Sequence, residues 1–278
     1  MSRPEHIAPP QFFYNEEESM KYARNNRMAT IQTEMTERAI ELLALPEGAT
    51  GLHILDLGCG TGFSGETIEE YGHHYTGLDI SHDMLKIAKE NNGSVIQGDM
   101  GAYLPFRPAT FDGCISISAL QWLCQSDQKN HNPVERLRKL FESLFGILKR
   151  GSRAVFQLYP EKSEHLEMIN TASAKAGFTG GFVIDYPNSK KAKKYYLVLM
   201  CGQQQEMPRA LGEEEYDENE PQGIKVDKKK YKETTKPKKA KYKSRDWILQ
   251  KKEKQRGKGM NVRPDSKYTG RKRSGKKF

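Results

Sequence analysis

Three glycines at alternate positions, Gly58, Gly60 and Gly62, follow the apolar run His53-Ile54-Leu55-Asp56-Leu57. Glycine permits a tight turn and lets a ligand approach the main chain. Asp56 precedes the first glycine by two residues, and Asp79 closes a second apolar run, His74-Tyr75-Thr76-Gly77-Leu78-Asp79, 17 residues past Gly62. An acid at the end of a second strand can accept both hydroxyls of a ribose. The spacing is not that of a dinucleotide pyrophosphate turn, whose last glycine falls one position later. Nor is it a phosphate loop, since no Lys-Ser or Lys-Thr pair follows. A strand, a glycine turn, a helix and an acid closing the next strand together mark a nucleotide-type cofactor site. The plain alternatives are a turn-capping role for Asp56 and an ordinary strand end at Asp79.

The elements that must hold this turn alternate in type. Apolar spacing predicts a helix over 36–45, then strand 53–57, a helix over 66–71 and strand 74–79. Ser81 is placed to cap a helix carrying Met84, Leu85 and Ala88 on one face and closed by Gly93. Strands follow at 94–97 and 111–118, then a strongly amphipathic helix through Val134, Leu137, Phe141, Leu144 and Leu148. Strand 153–159, a helix over 166–176 and two strands at 181–184 and 195–201 complete the body. Strands alternating with helices imply an α/β fold: a seven-stranded, mostly parallel sheet with helices on both faces. The last two strands, joined without a helix, imply one antiparallel edge strand. Strand 94–97 is expected at the other edge. His73 and His74 are expected on the surface.

Charge divides the chain of 278 residues. From Pro221 onward there are 23 Lys and Arg against 5 Asp and Glu, a charge of +18, while the first 220 residues carry −9. Such a tail is too poor in Leu, Ile, Val and Phe to bury a core and reads as disordered alone. A helical patch over 244–254 is allowed, with Ser244 as its N-cap and Trp247, Ile248 and Leu249 as an anchor. Lys236-Pro237-Lys238-Lys239, Arg271-Lys272-Arg273 and Lys276-Lys277 suit a polyanion-binding arm or a nuclear-import signal; solvated charge is the bland alternative. Tyr231, Tyr242, Trp247 and Tyr268 are aromatics interleaved with this charge. The loop 185–194 adds Lys190, Lys191, Lys193 and Lys194, for RNA phosphate or merely for solubility. Hydrophobic content is 36% and mean hydropathy −0.79, and no apolar run is long enough to span a membrane. The N-terminus has no apolar signal core. Cys59, Cys114, Cys124 and Cys201 have no metal-ligand spacing and no disulfide framework, so a reducing compartment is expected and no metal site.

Ile54-Leu55-Asp56-Leu57-Gly58-Cys59-Gly60-Thr61-Gly62 resembles the first motif of the class I S-adenosylmethionine-dependent methyltransferases. Asp79 resembles the second, Asp99 in Gln97-Gly98-Asp99-Met100 the third, and 111–118 the fourth. The whole chain is similar to the eukaryotic methyltransferases that form N7-methylguanosine in small-subunit (18S) ribosomal RNA. The segments that carry this likeness are Arg3-Pro4-Glu5-His6 with Phe13-Tyr14-Asn15, then Ile31 to Ala39, Ser116 to Leu123, and Ser244 to Leu249.

The resemblance implies S-adenosyl-L-methionine as cofactor, held by Asp56, Gly58, Cys59, Gly60, Gly62, Asp79, Ile80, Asp99, Met100 and Ser116, with Tyr14 and Arg27 reaching in from the N-terminus. A cation without phosphate suits Asp56 and a turn lacking lysine. Residues 1–50 would form a helical cap, 51–202 the methyltransferase domain, and 203–278 an acidic linker and basic RNA-binding tail. Phe13, Tyr14, Tyr22 and Arg27 form a lid in this reading, or simply pin a helix. Guanine N7 already holds an in-plane lone pair, so no general base is needed. Gln121 and Trp122 would position the acceptor; the plain alternative is that Trp122 packs under a loop. RNA contacts are assigned to Lys190, Lys191, Lys193, Lys194, Lys238, Lys239, Arg271, Lys272 and Arg273. The resemblance also implies a heterodimer with a small zinc-binding activator protein at edge strand 94–97, with Ile87, Ile96 and Met100 as contacts. It implies residence in the nucleus and nucleolus with cytoplasmic presence. Methyl transfer to another acceptor, or an assembly role in which binding outweighs turnover, remain open.

Overall fold

The computed structural model describes residues 3–91, 93–125, 132–189, 192–202, 205–212, 244–257, 262–266 and 269. The chain forms two compact units, Met1–Glu213 and Glu214–Phe278.

In the first unit, short helices α1 (Pro10–Phe13) and α2 (Glu16–Arg24) lead into α3 (Asn26–Leu43). Then come β1 (His53–Leu57), α4 (Phe63–Glu70), β2 (His74–Asp79), α5 (His82–Glu90), β3 (Val95–Gln97) and β4 (Phe111–Ile117). A 3-10 turn at Leu120–Cys124, α6 (Pro133–Ile147), β5 (Leu148–Leu158), α7 (Ser163–Lys175), β6 (Thr179–Asp185) and β7 (Lys194–Met200) complete it. The sheet order is β3-β2-β1-β4-β5-β7-β6. β1 to β5 pair in parallel, and β7 runs against both β5 and β6.

Successive side chains of a strand point to opposite faces, and each face here has its own core. Leu55, Leu57, Cys114, Ala154 and Phe156 point to the face covered by Leu137, Leu140, Phe141 and Leu144 of α6. Ile54, Ile115, Ile117 and Val155 point to the other, covered by Met35, Ala39, Ile40, Leu42 and Leu43 of α3 and Ile68 of α4. That double coverage is why the strands read as continuous apolar runs.

α4, α7 and β6 each start two or three residues earlier than expected, at Phe63, Ser163 and Thr179, and three further differences bear on the site. α3 begins ten residues before position 36, capped by Asn25, whose Oδ1 accepts from the Arg27 and Met28 amides at 3.1 Å. Its buried face includes Gln32, Thr33, Thr36 and Glu37, so polar residues hide its periodicity. β5 starts at Leu148 and takes in Lys149-Arg150-Gly151, with a register shift against β4. β7 begins at Lys194, which is therefore a strand residue and not part of the loop. His73 is also corrected: it is buried beside β2, with Nδ1 unpartnered, whereas His74 is exposed.

The second unit contains α8 (Arg245–Gly257). Ser244 Oγ accepts from the Trp247 amide at 3.2 Å, the expected cap. Lys251 Nζ sits 5.0 Å from the Trp247 ring centroid. Asp265 pairs with Lys252 at 3.1 Å and Arg256 at 2.7 Å. Lys190, Lys191, Tyr231, Lys236, Lys238, Lys239, Tyr242, Tyr268, Arg271, Lys272, Arg273, Lys276 and Lys277 lie outside the described residues.

Candidate active site

A cavity of about 380 Å³ opens at the carboxyl ends of β1, β2 and β4, where ligands bind in open α/β sheets. The turn after β1 forms one wall. The Gly58 and Cys59 amides donate to the Leu78 carbonyl at 2.7 and 3.3 Å, tying the turn to β2. Gly58 has φ +74, and a Cβ there would lie 2.3 Å from Ala119 Cβ, so no larger residue fits without moving the backbone. Gly60 has φ +53 and turns its amide to Asp79 Oδ2 at 2.9 Å. The Ser81 amide fills Oδ1 at 2.8 Å. Burial raises the Asp79 carboxyl, and these amides oppose the rise. Each oxygen retains a lone-pair site for a further donor.

Asp99 lies deeper along the same wall. Its Oδ1 accepts from the Gly101 amide and from Arg136 Nη2, both at 2.8 Å. Arg136 is buried on α6 and lines the cavity. The sequence reading missed it; the signal was a cation one position from Leu137 on the apolar face. Cys59, Ile80 and Met100 also line the cavity.

Four sequence-assigned residues stand outside the lining. Asp56 is fully buried behind the turn. Its Oδ2 accepts from Ser64 Oγ at 2.5 Å, and its Oδ1 has no partner. Burial pushes its carboxyl up to about 7, against the pull of Ser64. Ser64, not Asp56, faces the cavity. Ser116 is buried and donates its Oγ to the Leu57 carbonyl at 2.7 Å, coupling β4 to β1. Gly62, at φ +89, is the N-cap of α4 and abuts Ala88. Arg27 is exposed, because α3 turns that face outward.

The opposite wall comes from distant stretches. Tyr14 and Tyr22 line it, with ring centroids 6.2 Å apart. Ser81 Oγ pins this segment by donating to the Tyr14 carbonyl at 2.8 Å. Trp122 is buried, its ring 5.9 Å from Tyr14 and 6.2 Å from Phe13, so it packs and lines the cavity at once. Gln121 lines it too, Nε2 donating to the Ser118 carbonyl at 2.8 Å. Lys194 lines the cavity, with Nζ 2.7 Å from the Tyr159 hydroxyl. Lys193 rests over the Tyr195 ring at 5.4 Å. Glu5 and Tyr159 also line the cavity and carried no local signal. Among the described residues no His, Cys, Asp and Glu group can hold a metal ion.

The doubly covered sheet, the glycine turn and the acid closing β2 define a class I S-adenosylmethionine-dependent methyltransferase. A family model described as "Methyltransferase domain" matches residues 55–156, and one described as "Methyltransferase involved in Williams-Beuren syndrome" matches 199–275. A solved structure of Haemonchus contortus phosphoethanolamine N-methyltransferase 2 in complex with S-adenosyl-L-methionine shares the fold, with a TM-score of 0.51 at 16% identity over 73% of this chain and 61% of that one. An 18S rRNA (guanine-N(7))-methyltransferase of Mus musculus is 51% identical over 98% of this chain and 96% of its own length. The Saccharomyces cerevisiae 18S rRNA (guanine(1575)-N(7))-methyltransferase is 43% identical over 98% of both. The chain belongs to the 18S rRNA (guanine-N(7))-methyltransferase family.

Proposed function

We propose that the chain transfers a methyl group from S-adenosylmethionine to N7 of a guanine in small-subunit ribosomal RNA. Its likeness to relatives of that activity, along nearly their whole length, carries this reading. The cavity suits the cofactor: Asp79 has lone pairs left for ribose hydroxyls, and Asp99 Oδ2 has no partner among the described residues and can accept from the adenine amine. Gly58 and Gly60 bring main chain close, while Ile80 and Met100 flank the base. Asp56 acts through Ser64 from behind the turn. When bound, S-adenosylmethionine supplies a methyl carbon on a cationic sulfur. Guanine N7 needs no deprotonation, and among the described residues no histidine lines the cavity, so the protein's contribution is alignment and electrostatics. Residues before position 51 serve as lid as well as core, and the tail holds RNA by its charge. Incubation with labelled cofactor and small-subunit RNA, followed by mapping of the modified base, tests the reading. Label on any atom other than guanine N7 defeats it.

The finer partner is a small zinc-binding activator at β3. That strand has three residues, forms one end of the sheet and leaves Ile96 42% exposed. An open edge with an exposed isoleucine invites pairing with another chain. Ile87 is half-buried nearby, whereas Met100 faces the cavity. Ile96→Asp should abolish copurification with such an activator and leave the fold unchanged. Action on ribosomal RNA supports residence in the nucleus and nucleolus, with cytoplasmic presence, which a fluorescent fusion would check. The +18 tail favours a binding role in ribosome assembly beside turnover. Comparing Gly58→Glu with a tail deletion for small-subunit maturation separates the two.

A further inference from the structure

Besides the Thr61 hydroxyl on the glycine turn, two residues of the cavity wall carry a side-chain acceptor with nothing to accept from. Glu5 Oε2 and Gln121 Oε1 are shut off from solvent and lack a hydrogen-bond partner. Both residues line the same cavity. Folded proteins leave few such atoms, because each forfeits its hydration without return.

The Gln121 amide is oriented by its neighbours. Its Nε2 donates to the Ser118 carbonyl at 2.8 Å. A carbonyl can only accept, so the amide oxygen is the atom left over. Ser118 is held in turn, at φ +59. Its amide donates to the Gln157 carbonyl at 3.0 Å and its Oγ to Gln157 Oε1 at 2.7 Å. Glu5 is carried in by the residues around it. Arg3 donates to the Tyr159 carbonyl at 3.0 Å, and His6 meets Glu161 at 3.0 Å. These contacts lay the N-terminal segment across the end of β5, beside Tyr159.

Guanine carries two adjacent donors, N1–H and the N2 amine, on the edge remote from N7. Adenine presents a bare acceptor at N1. A wall that offers two open acceptors, one of them a carboxylate, beside β5 matches guanine and repels adenine. We infer that Glu5 and Gln121 read the target base, accepting from its N1–H and N2 amine, and that the Glu5 carboxylate also favours transfer. This rests on the guanine-N7 reading above. The N7 lone pair forms the new nitrogen–carbon bond, and the carbon–sulfur bond breaks with its electron pair going to sulfur. No proton moves. The purine gains a positive charge, which makes N1–H a stronger donor. A carboxylate facing it binds the transition state more tightly than the ground state, as catalysis requires. Gln121, being neutral, supplies selection without that gain.

The test uses the full chain. Glu5→Gln should lower kcat on small-subunit RNA by about 10- to 100-fold, the worth of one charge-assisted hydrogen bond. Its Kd for S-adenosylmethionine should stay within about two-fold of wild type, since uniform donor binding is untouched. Independently of any variant, wild-type protein should use RNA with inosine at the target position about 10-fold less well, because only the N2 amine is missing. Gln121→Ala should narrow that guanine–inosine gap. Wild-type kcat in Glu5→Gln, or equal use of inosine and guanine, overturns the inference. So does a donor Kd weakened in step with kcat, which would assign Glu5 to the cofactor's ammonium. If wild-type protein methylates no guanine N7 in that RNA, the reading beneath the inference has failed, a result distinct from the other three.

Discussion

At the ends of β1 and β2 the cavity wall is built around the glycine turn, and its key acid is already engaged. Asp79 accepts from Gly60 at 2.9 Å and from Ser81 at 2.8 Å. At the ends of β4 and β5 the wall is side chain, drawn from Glu5, Tyr14, Gln121, Trp122, Tyr159 and Lys194. Two of its acceptors, on Glu5 and Gln121, are unfilled. The first half is preorganised, so a ligand there meets groups that need no rearrangement. The second half waits for a partner to complete it. A donor common to many methyltransferases suits the first, and a particular acceptor suits the second.

The sharpest way to break this contrast is Gly58→Ala. A methyl 2.3 Å from Ala119 Cβ, at φ +74, forces the turn against the 3-10 segment. Measurable S-adenosylmethionine binding should vanish in calorimetry; retained affinity would mean that the turn is not the donor's seat. Next is Asp56, raised by burial from its ordinary 3.8 to about 7. Between those values the folded protein keeps a proton that the unfolded chain has released. The group's contribution to stability is therefore full below about pH 4 and lost as pH rises toward 7. A shift of that size is worth at most ~4 kcal/mol. Urea unfolding should show wild type losing stability relative to Asp56→Asn across that window; parallel curves would refute the buried proton.

Asp79→Asn keeps the shape but replaces one acceptor by a donor, and should weaken donor binding by about 10- to 100-fold. An unchanged Kd would show that the amides alone hold the turn. The smallest effect is at Ser81, which joins the halves by capping α5 at the Met84 amide, 3.2 Å, and donating to the Tyr14 carbonyl, 2.8 Å. Ser81→Ala should cost about 1 kcal/mol, the worth of an N-cap, and loosen Tyr14 in hydrogen exchange. No change in either would separate the lid from α5.

Legibility followed locality. β1 and β2 stand at His53–Leu57 and His74–Asp79, where apolar runs bounded by glycine turns placed them. Ser81 and Ser244 cap the helices that their position before apolar runs indicated. The first ten residues of α3 were not legible, because Gln32 and Thr33 on its inward face are polar yet buried. Asp56 read as a cavity carboxylate, since its position in the motif does not say which way the side chain points. It turns away and bonds Ser64. Lys194 read as loop charge, but opens β7 and reaches Tyr159. Arg136 was marked only by its charge beside Leu137, and Glu5 carried no local pattern.

The order of residues alone was enough for the alternating architecture, the glycine turn with its acid and the split of charge, because each depends on neighbours within a few positions. Tertiary structure alone decided which acids face the cavity and which sit behind it, and it alone brought positions 5, 121 and 159 to one cavity. Side-chain direction and long-range meeting depend on how two cores pack across one sheet, and that packing is a property of the whole chain at once.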